Sequence, residues 1–130
     1  MKILVGYDGS NSAEAALDLT KVHAKAFDAE VYIVRSLEQG PKLDKEDIEE
    51  EEERLLKLQS TFKKDALPCH VDTIVSYQTP GEDLVEFAEQ NQIDQVVVGV
   101  RRRSKVGKFV FGSTARYVIL QAPCPVLTVK

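Results

Sequence analysis

The residues best suited to bind an anion are concentrated in three short segments of the chain. The first spans residues 6–11 and the second spans residues 99–105, each directly after a short apolar run, and the third is Gly112-Ser113-Thr114. Glycines allow a ligand to approach the backbone, hydroxyls donate and accept hydrogen bonds, and charged side chains bind ions. The loops after the remaining apolar runs are plainer, so these three segments are the candidates for a binding site.

Gly112, Ser113 and Thr114 open the last predicted helix. The first N–H groups of a helix have no partner inside it, and the helix dipole is positive there, so this end binds phosphate readily. Gly112 leaves out a Cβ beside an approaching anion, and the two hydroxyls add hydrogen-bonding groups. The same three residues could equally form an ordinary helix cap.

Asp8 stands at the end of the first apolar run. Its carboxylate could accept hydrogen bonds from a ribose hydroxyl, or help to hold a magnesium ion on phosphates. The sequence Asp8-Gly9-Ser10 could also be a turn followed by a helix cap. Both interpretations remain open at the level of sequence.

A basic run extends from Arg101 to Lys105, with Lys108 behind it. It could be a solvated loop, or a clamp that neutralises a polyphosphate, for which arginine forks are well shaped. A nucleic-acid surface is a weaker interpretation, because no aromatic residues interleave these charges and the net charge of the chain is −4.

Short β-branched runs alternate with segments of helical spacing along the whole chain. This alternation predicts βαβ units in a single domain of residues 1–130, with an α/β fold that is an open, doubly wound, Rossmann-like parallel sheet of five strands and four helices. Ligands of such sheets bind beyond the carboxyl ends of the strands. The predicted strands are residues 3–5, 31–34, 71–75, 96–98 and 126–129.

Several function classes are disfavoured by composition and motif. Cys69, Cys124, His23 and His70 are isolated from one another, which disfavours a zinc site. The chain opens with no signal-like segment and contains no run long enough to span a bilayer, so a cytoplasmic location without membrane contact is expected. No Walker motif and no recognisable nucleophile motif is present.

The second predicted helix begins with an acidic run. Every residue from Glu46 to Glu53 is acidic except Ile48, and basic residues follow. Acid early and base late suits the helix dipole, and Glu50 could pair with Arg54 one turn on. A solvated helix face is the simple interpretation, and an acidic docking surface or a metal-attracting patch is the sharper one.

At these residues the chain resembles the universal stress protein family over essentially its whole length. ATP-binding members carry Gly-x2-Gly-x9-Gly-(Ser/Thr) after the fourth strand, and Gly99, Gly112 and Ser113 match that pattern. Residues 3–10 resemble the family's first strand and Asp-Gly-Ser turn, and residues 122–129 its closing strand. Pro80, with the helix after it, is similar to the start of the family's third helix.

The resemblance implies a site for ATP or AMP and an edge-paired homodimer. Gly6, Tyr7 and Asp8 would line the ribose and adenine end, with Val98 beside the base. The phosphates would lie among Gly99, Arg101, Gly112, Ser113 and Thr114, with Mg²⁺ arriving on the nucleotide. The dimer would form through the last strand, residues 126–129, whose exposed edge is otherwise a liability.

Two departures from the family pattern bear on the ligand. Arg102 replaces the second motif glycine, where it would either obstruct the phosphates or contribute charge to them. Ser36 stands at the end of the second strand, where ATP-binding members tend to have an apolar residue against adenine.

The predicted function is therefore a small cytoplasmic stress-response regulator that binds adenine nucleotide, with no turnover or only slow ATP hydrolysis. The alternative is a nucleotide-free dimeric interaction protein whose pocket is blocked by Arg102. An enzyme of the related ATP-pyrophosphatase type is disfavoured, because its Ser-Gly-Gly-x-Asp-Ser loop is absent.

Overall fold

The computed structural model describes residues 1–100 and 111–130 of the chain, and strands and helices alternate along them. The predicted fold class is confirmed, as are the five strands and four helices among the described residues. The elements are β1 Lys2–Gly6, α1 Asn11–Phe27, β2 Glu30–Glu38, α2 Lys45–Lys64, β3 Cys69–Ser76, α3 Pro80–Gln90, β4 Gln95–Gly99, α4 Ser113–Gln121 and β5 Val126–Val129.

All five strands are parallel and lie in the order β3-β2-β1-β4-β5. The chain winds outward from β1 through β2 to β3, and then crosses to the other side of β1 to add β4 and β5. The winding direction therefore reverses between β1 and β4. In open parallel sheets a crevice forms at this reversal, beyond the carboxyl ends of the two strands.

Two apolar layers hold the helices against the two faces of the sheet. On one face, α1 and α2 pack on side chains such as Val5 and Ile33, with Phe62 of α2 almost completely buried. On the other face, α3 and α4 pack on Leu4 and Val34. Each strand therefore carries apolar side chains on both faces, as expected for a parallel sheet covered on both sides.

The second strand is longer than the sequence predicts. Residues 31–34 form the predicted core of β2, but the strand continues to Glu38, and Arg35 and Ser36 pair in register with Thr73 and Ile74 of β3. The two polar residues conceal this extension in the sequence. Ser36 consequently lies inside the strand rather than after it.

The acidic run lies on the first half of α2. Asp44 caps the helix through a reciprocal pair of bonds with Asp47. Arg54 pairs with Glu51, at 3.4 Å, rather than with the predicted Glu50. Among the described helices, none is both long and apolar enough to cross a membrane.

Candidate functional site

A cleft of about 200 Å³ opens at the carboxyl ends of β1 and β4, where the winding of the sheet reverses. The two strand ends thus converge on one hollow, as the parallel topology requires. Its walls are apolar on the side of α3 and polar toward the starts of the helices. The described lining consists of Gly6, Tyr7, Asp8, Val34, Arg35, Ser36, Pro80, Leu84, Val98, Gly99, Thr114 and Ala115.

Most of the residues singled out in the sequence meet at this cleft. Thr114 is part of the lining, whereas Gly112 and Ser113 are not. These two residues lie directly before Thr114, as the N-cap and the first residue of α4. Arg101 and Arg102 lie outside the described residues, as does the rest of the basic run to Lys105 and Lys108. The residues that the sequence analysis named and that the described lining contains are Gly6, Tyr7, Asp8, Ser36, Val98, Gly99 and Thr114.

The turn after β1 is stabilised by its own side chains. Asp8 Oδ1 accepts hydrogen bonds from the backbone N–H of Ser10, at 3.0 Å, and from the Ser10 hydroxyl. Ser10 in turn caps α1 by accepting from the N–H of Ala13 at 3.2 Å. Gly9 takes the left-handed φ of 79° that this turn needs. The turn-and-cap interpretation of this segment is therefore the one its hydrogen bonds display.

Gly99 is needed for packing at the end of β4. A Cβ built there would lie 2.6 Å from the carbonyl carbon of Ser12 and 2.8 Å from the N of Ala13. Both atoms belong to the backbone of α1 and cannot move aside as a flexible side chain could. The first glycine of the motif therefore lets α1 cross close over the strand end, a requirement that the sequence pattern did not reveal.

The start of α4 has a different character. Gly112 is the N-cap residue with φ of −63°, and no side chain caps the first turn. A Cβ added at Gly112 would meet no described atom within 4 Å. Among the described residues the start of α4 therefore has no side-chain cap, and an uncapped helix start is the kind of arrangement that binds anions.

Tyr7 reaches the cleft but directs its ring elsewhere. Its side chain is buried in the layer beneath α1 and α2, and its hydroxyl donates to Glu14 Oε1 at 2.6 Å. Burial, together with this bond to a carboxylate, raises the pKa of Tyr7 from 10.0 to about 12. Its side chain therefore links β1 to α1, while Tyr7 also belongs to the lining of the cleft.

Arg35 is a cation of the cleft that sequence reasoning missed. It lines the hollow from β2, and its Nε lies 3.5 Å from Glu51 of α2. Glu51 also pairs with Arg54, so one residue of the acidic run forms ion pairs with two arginines, of which Arg35 lines the cleft. Alternation along β2 is the signal that could have found it, because Arg35 shares a face with Val31 and Ile33, toward α2.

Asp83 is the second residue that was missed. It stands in the first turn of α3, only 4% exposed, and accepts hydrogen bonds from Ser36 and Ser76. Glu82 and Asp83 are both acidic residues of this first turn, where acids usually interact with the helix dipole from the surface, so nothing in the local sequence predicts that Asp83 is buried. The available signal was Ser36, which shares a face with Tyr32 and Val34 and must point toward α3.

Comparisons with known proteins agree with this fold and show its family. The profile of the Universal stress protein family matches residues 1–130. A universal stress protein of Methanocaldococcus jannaschii is 33% identical over 99% of this chain and 81% of its own length. One from Thermus aquaticus is 31% identical over 98% of this chain and 97% of its own. The chain belongs to the universal stress protein family.

Solved structures show the same architecture. The universal stress protein from Archaeoglobus fulgidus aligns with a TM-score of 0.88 and 37% identity, covering 100% of this chain and 98% of that one. A structure of the universal stress protein from the same organism in complex with dAMP aligns with a TM-score of 0.83 and 34% identity, again over 100% and 98% of the two chains.

Proposed function

We propose that this chain binds an adenine nucleotide, ATP or AMP, in the cleft between β1 and β4, and acts in the cytoplasm as a stress-response regulator. The observation that carries the proposal is the uncapped start of α4 beside a cleft with apolar walls. The complex of the Archaeoglobus fulgidus relative with dAMP supports the same ligand class.

The cleft offers a different environment to each part of a nucleotide. Val34, Leu84 and Val98 supply apolar walls suited to a flat base. The phosphates would lie at the N–H groups that begin α4, with Arg101 as a further cation. Asp8 would face the ribose, and any Mg²⁺ would arrive on the phosphates with Asp8 as its protein ligand.

The proposed activity is binding rather than turnover. Asp8 is the only carboxylate in the described lining, and its Oδ1 already accepts two hydrogen bonds from Ser10. A general base must be able to reach the attacking water with a lone pair. Hydrolysis at this site would consequently be slow, and occupancy itself would carry the signal.

The phosphate position can be tested by two matched proline variants. Ser113→Pro removes the first N–H of α4, which directly precedes the lining residue Thr114, and Asn11→Pro removes the first N–H of α1, whose start is already capped by Ser10. Proline suits this helical position, and the extended residue before each site accepts it. Titration calorimetry should show nucleotide affinity about 10-fold lower for Ser113→Pro and unchanged for Asn11→Pro.

Equal affinity of the two proline variants would contradict the phosphate position. Absence of binding to the wild type at millimolar AMP and ATP would contradict the nucleotide function itself. If Arg102→Gly then restored binding, the chain would be the nucleotide-free interaction protein whose pocket Arg102 fills.

We also propose a homodimer formed through β5. The strand is a half-exposed edge of the sheet, and the neighbouring helix α4 exposes Tyr117, Ile119 and Leu120. A strand edge that no described strand pairs with, beside apolar side chains, favours pairing with a second copy. Sedimentation analysis should give twice the chain mass, and a monomer at high concentration would contradict this proposal.

A further inference from the structure

The Asp83 carboxylate is buried between the ends of β2, β3 and α3, and it is surrounded by donors. The Ser36 hydroxyl donates to Oδ2 at 2.6 Å, and the Ser76 hydroxyl contacts both oxygens at 2.8 and 2.9 Å. With its amide nitrogen turned inward, Gln78 donates to Oδ1 at 3.0 Å. A carboxylate can only accept hydrogen bonds, so every hydroxyl that bonds to it must donate its proton to it.

The two serines differ in what their oxygens do next. Ser76 accepts a hydrogen bond from the backbone N–H of Gln78 at 3.1 Å and is not part of the described lining of the cleft. Ser36 lines the cleft, and among the described residues its oxygen accepts no hydrogen bond. Because its one proton is given to Asp83, Ser36 presents only lone pairs to a ligand.

Ser36 lies in the part of the cleft suited to a base. It follows Val34 on the same face of β2, and Leu84 of α3 stands next to Asp83 in the chain and also lines the hollow. A flat ring between these apolar side chains would bring its edge toward Ser36. An acceptor in an apolar wall favours a donor on that edge and disfavours another acceptor.

We propose that Asp83 is a positioning residue that fixes the Ser36 hydroxyl as an acceptor and thereby selects purines with an amino group at ring carbon 6. This inference rests on the proposed nucleotide function and deepens it. A 6-oxo purine would set its carbonyl oxygen against the lone pairs of Ser36. A purine with no substituent at carbon 6 would leave Ser36 without a partner.

The test compares three nucleotides that differ at this edge of the base. Titration calorimetry would use AMP, inosine 5′-monophosphate and purine riboside 5′-monophosphate, which lacks the amino group. For the wild type we expect AMP to bind about 10- to 100-fold more tightly than either analogue, the usual range for one buried hydrogen bond lost or opposed.

Three variants separate selection from a structural role. Ser36→Ala should bring the affinities for the three nucleotides within about 3-fold of one another, because the acceptor is gone. Asp83→Asn should raise the affinity for the inosine nucleotide relative to AMP, because the new amide can donate to Ser36 and free its proton for the ligand. Ser76→Ala disturbs the same network outside the lining and should keep the full preference for AMP.

The outcomes distinguish this inference from the function on which it rests. If the wild type binds none of the three nucleotides at millimolar concentration, the proposed function fails and the inference fails with it. If the wild type binds all three equally, or if Ser36→Ala keeps the full preference for AMP, the inference alone is overturned. Should Asp83→Asn fail to fold in thermal unfolding, the comparison of Ser36→Ala with Ser76→Ala decides.

Discussion

Two helices, α1 and α4, begin at the same edge of the sheet, yet their first turns are occupied in different ways. The α1 start is filled by its own chain, because Ser10 caps it, Asp8 supports Ser10, and Gly99 lets it pack on β4. The α4 start has Gly112 as its N-cap, without a side-chain cap, and a Cβ added at Gly112 would meet no described atom within 4 Å. From this comparison we expect an anion to bind at the start of α4, which no described side chain caps, rather than at the start of α1.

The largest expected effect concerns the two glycines that border these helix starts. Gly99→Ala should destabilise the fold by about 3 kcal/mol, because its Cβ would overlap the backbone of α1. The matched change Gly112→Ala should cost about 1 kcal/mol or less, since its Cβ meets no described atom within 4 Å and the loss is confined to a poorer N-cap residue. Urea unfolding of both variants measures the difference, and equal losses would abolish the contrast between the two helix starts.

The fold was more predictable than the packing around it. The β-branched runs identify all five described strands, because apolar runs of that length suit strands buried on both faces. Convergence of the β1 and β4 ends was equally predictable from parallel topology. The reason for Gly99 was not, because no local pattern says which backbone crosses over a strand end.

The partners of the polar residues around the cleft were equally hard to predict from the sequence. Asp83 bonds to Ser36, 47 positions earlier in the chain, and Arg35 pairs with Glu51 of a helix that follows a loop. Such partners depend on the order in which strands assemble. Alternation along β2 could have indicated the faces of Ser36 and Arg35, but it could not have identified the residues opposite them.

The dependence of stability on alkaline pH tests the hydrogen bond between Tyr7 and Glu14, which joins β1 to α1. The pKa of Tyr7 is raised from 10.0 to about 12 in the folded state, so the protonated form is favoured by folding. Its contribution is complete below pH 10 and is lost as the pH rises through 12, by about 2–3 kcal/mol. Tyr7→Phe lacks this group, so the wild type should lose stability faster than the variant across that window.

Other groups titrate in the same range, which is why the difference between the two proteins is the relevant quantity. The pKa of Tyr32 is raised to about 12 by its bond to Glu30, and burial raises that of Cys69 to about 11. Both groups are present in the wild type and in Tyr7→Phe. If the stability curves of the wild type and Tyr7→Phe ran parallel from pH 9 to 12, the bond between Tyr7 and Glu14 would not stabilise the packing of β1 against α1.

The smallest expected effect compares the serines at the two helix starts. Ser10→Ala removes the cap of α1 and should cost about 1 kcal/mol of stability. Ser113→Ala should change stability by about 0.5 kcal/mol or less, because Ser113 is exposed and does not cap α4. Thermal unfolding of the pair is sufficient. A larger loss for Ser113→Ala would mean that α4 depends on its own first turn after all.

The most direct test of the proposed nucleotide site is a crystal structure of this protein, from crystals grown with millimolar AMP. We expect the phosphate within hydrogen-bonding distance of the Ser113 and Thr114 amides, and the base between Val34, Leu84 and Val98. A phosphate bound at the start of α1, or a cleft that stays empty at that concentration, would contradict the proposal that the start of α4, which has no side-chain cap, is the anion site.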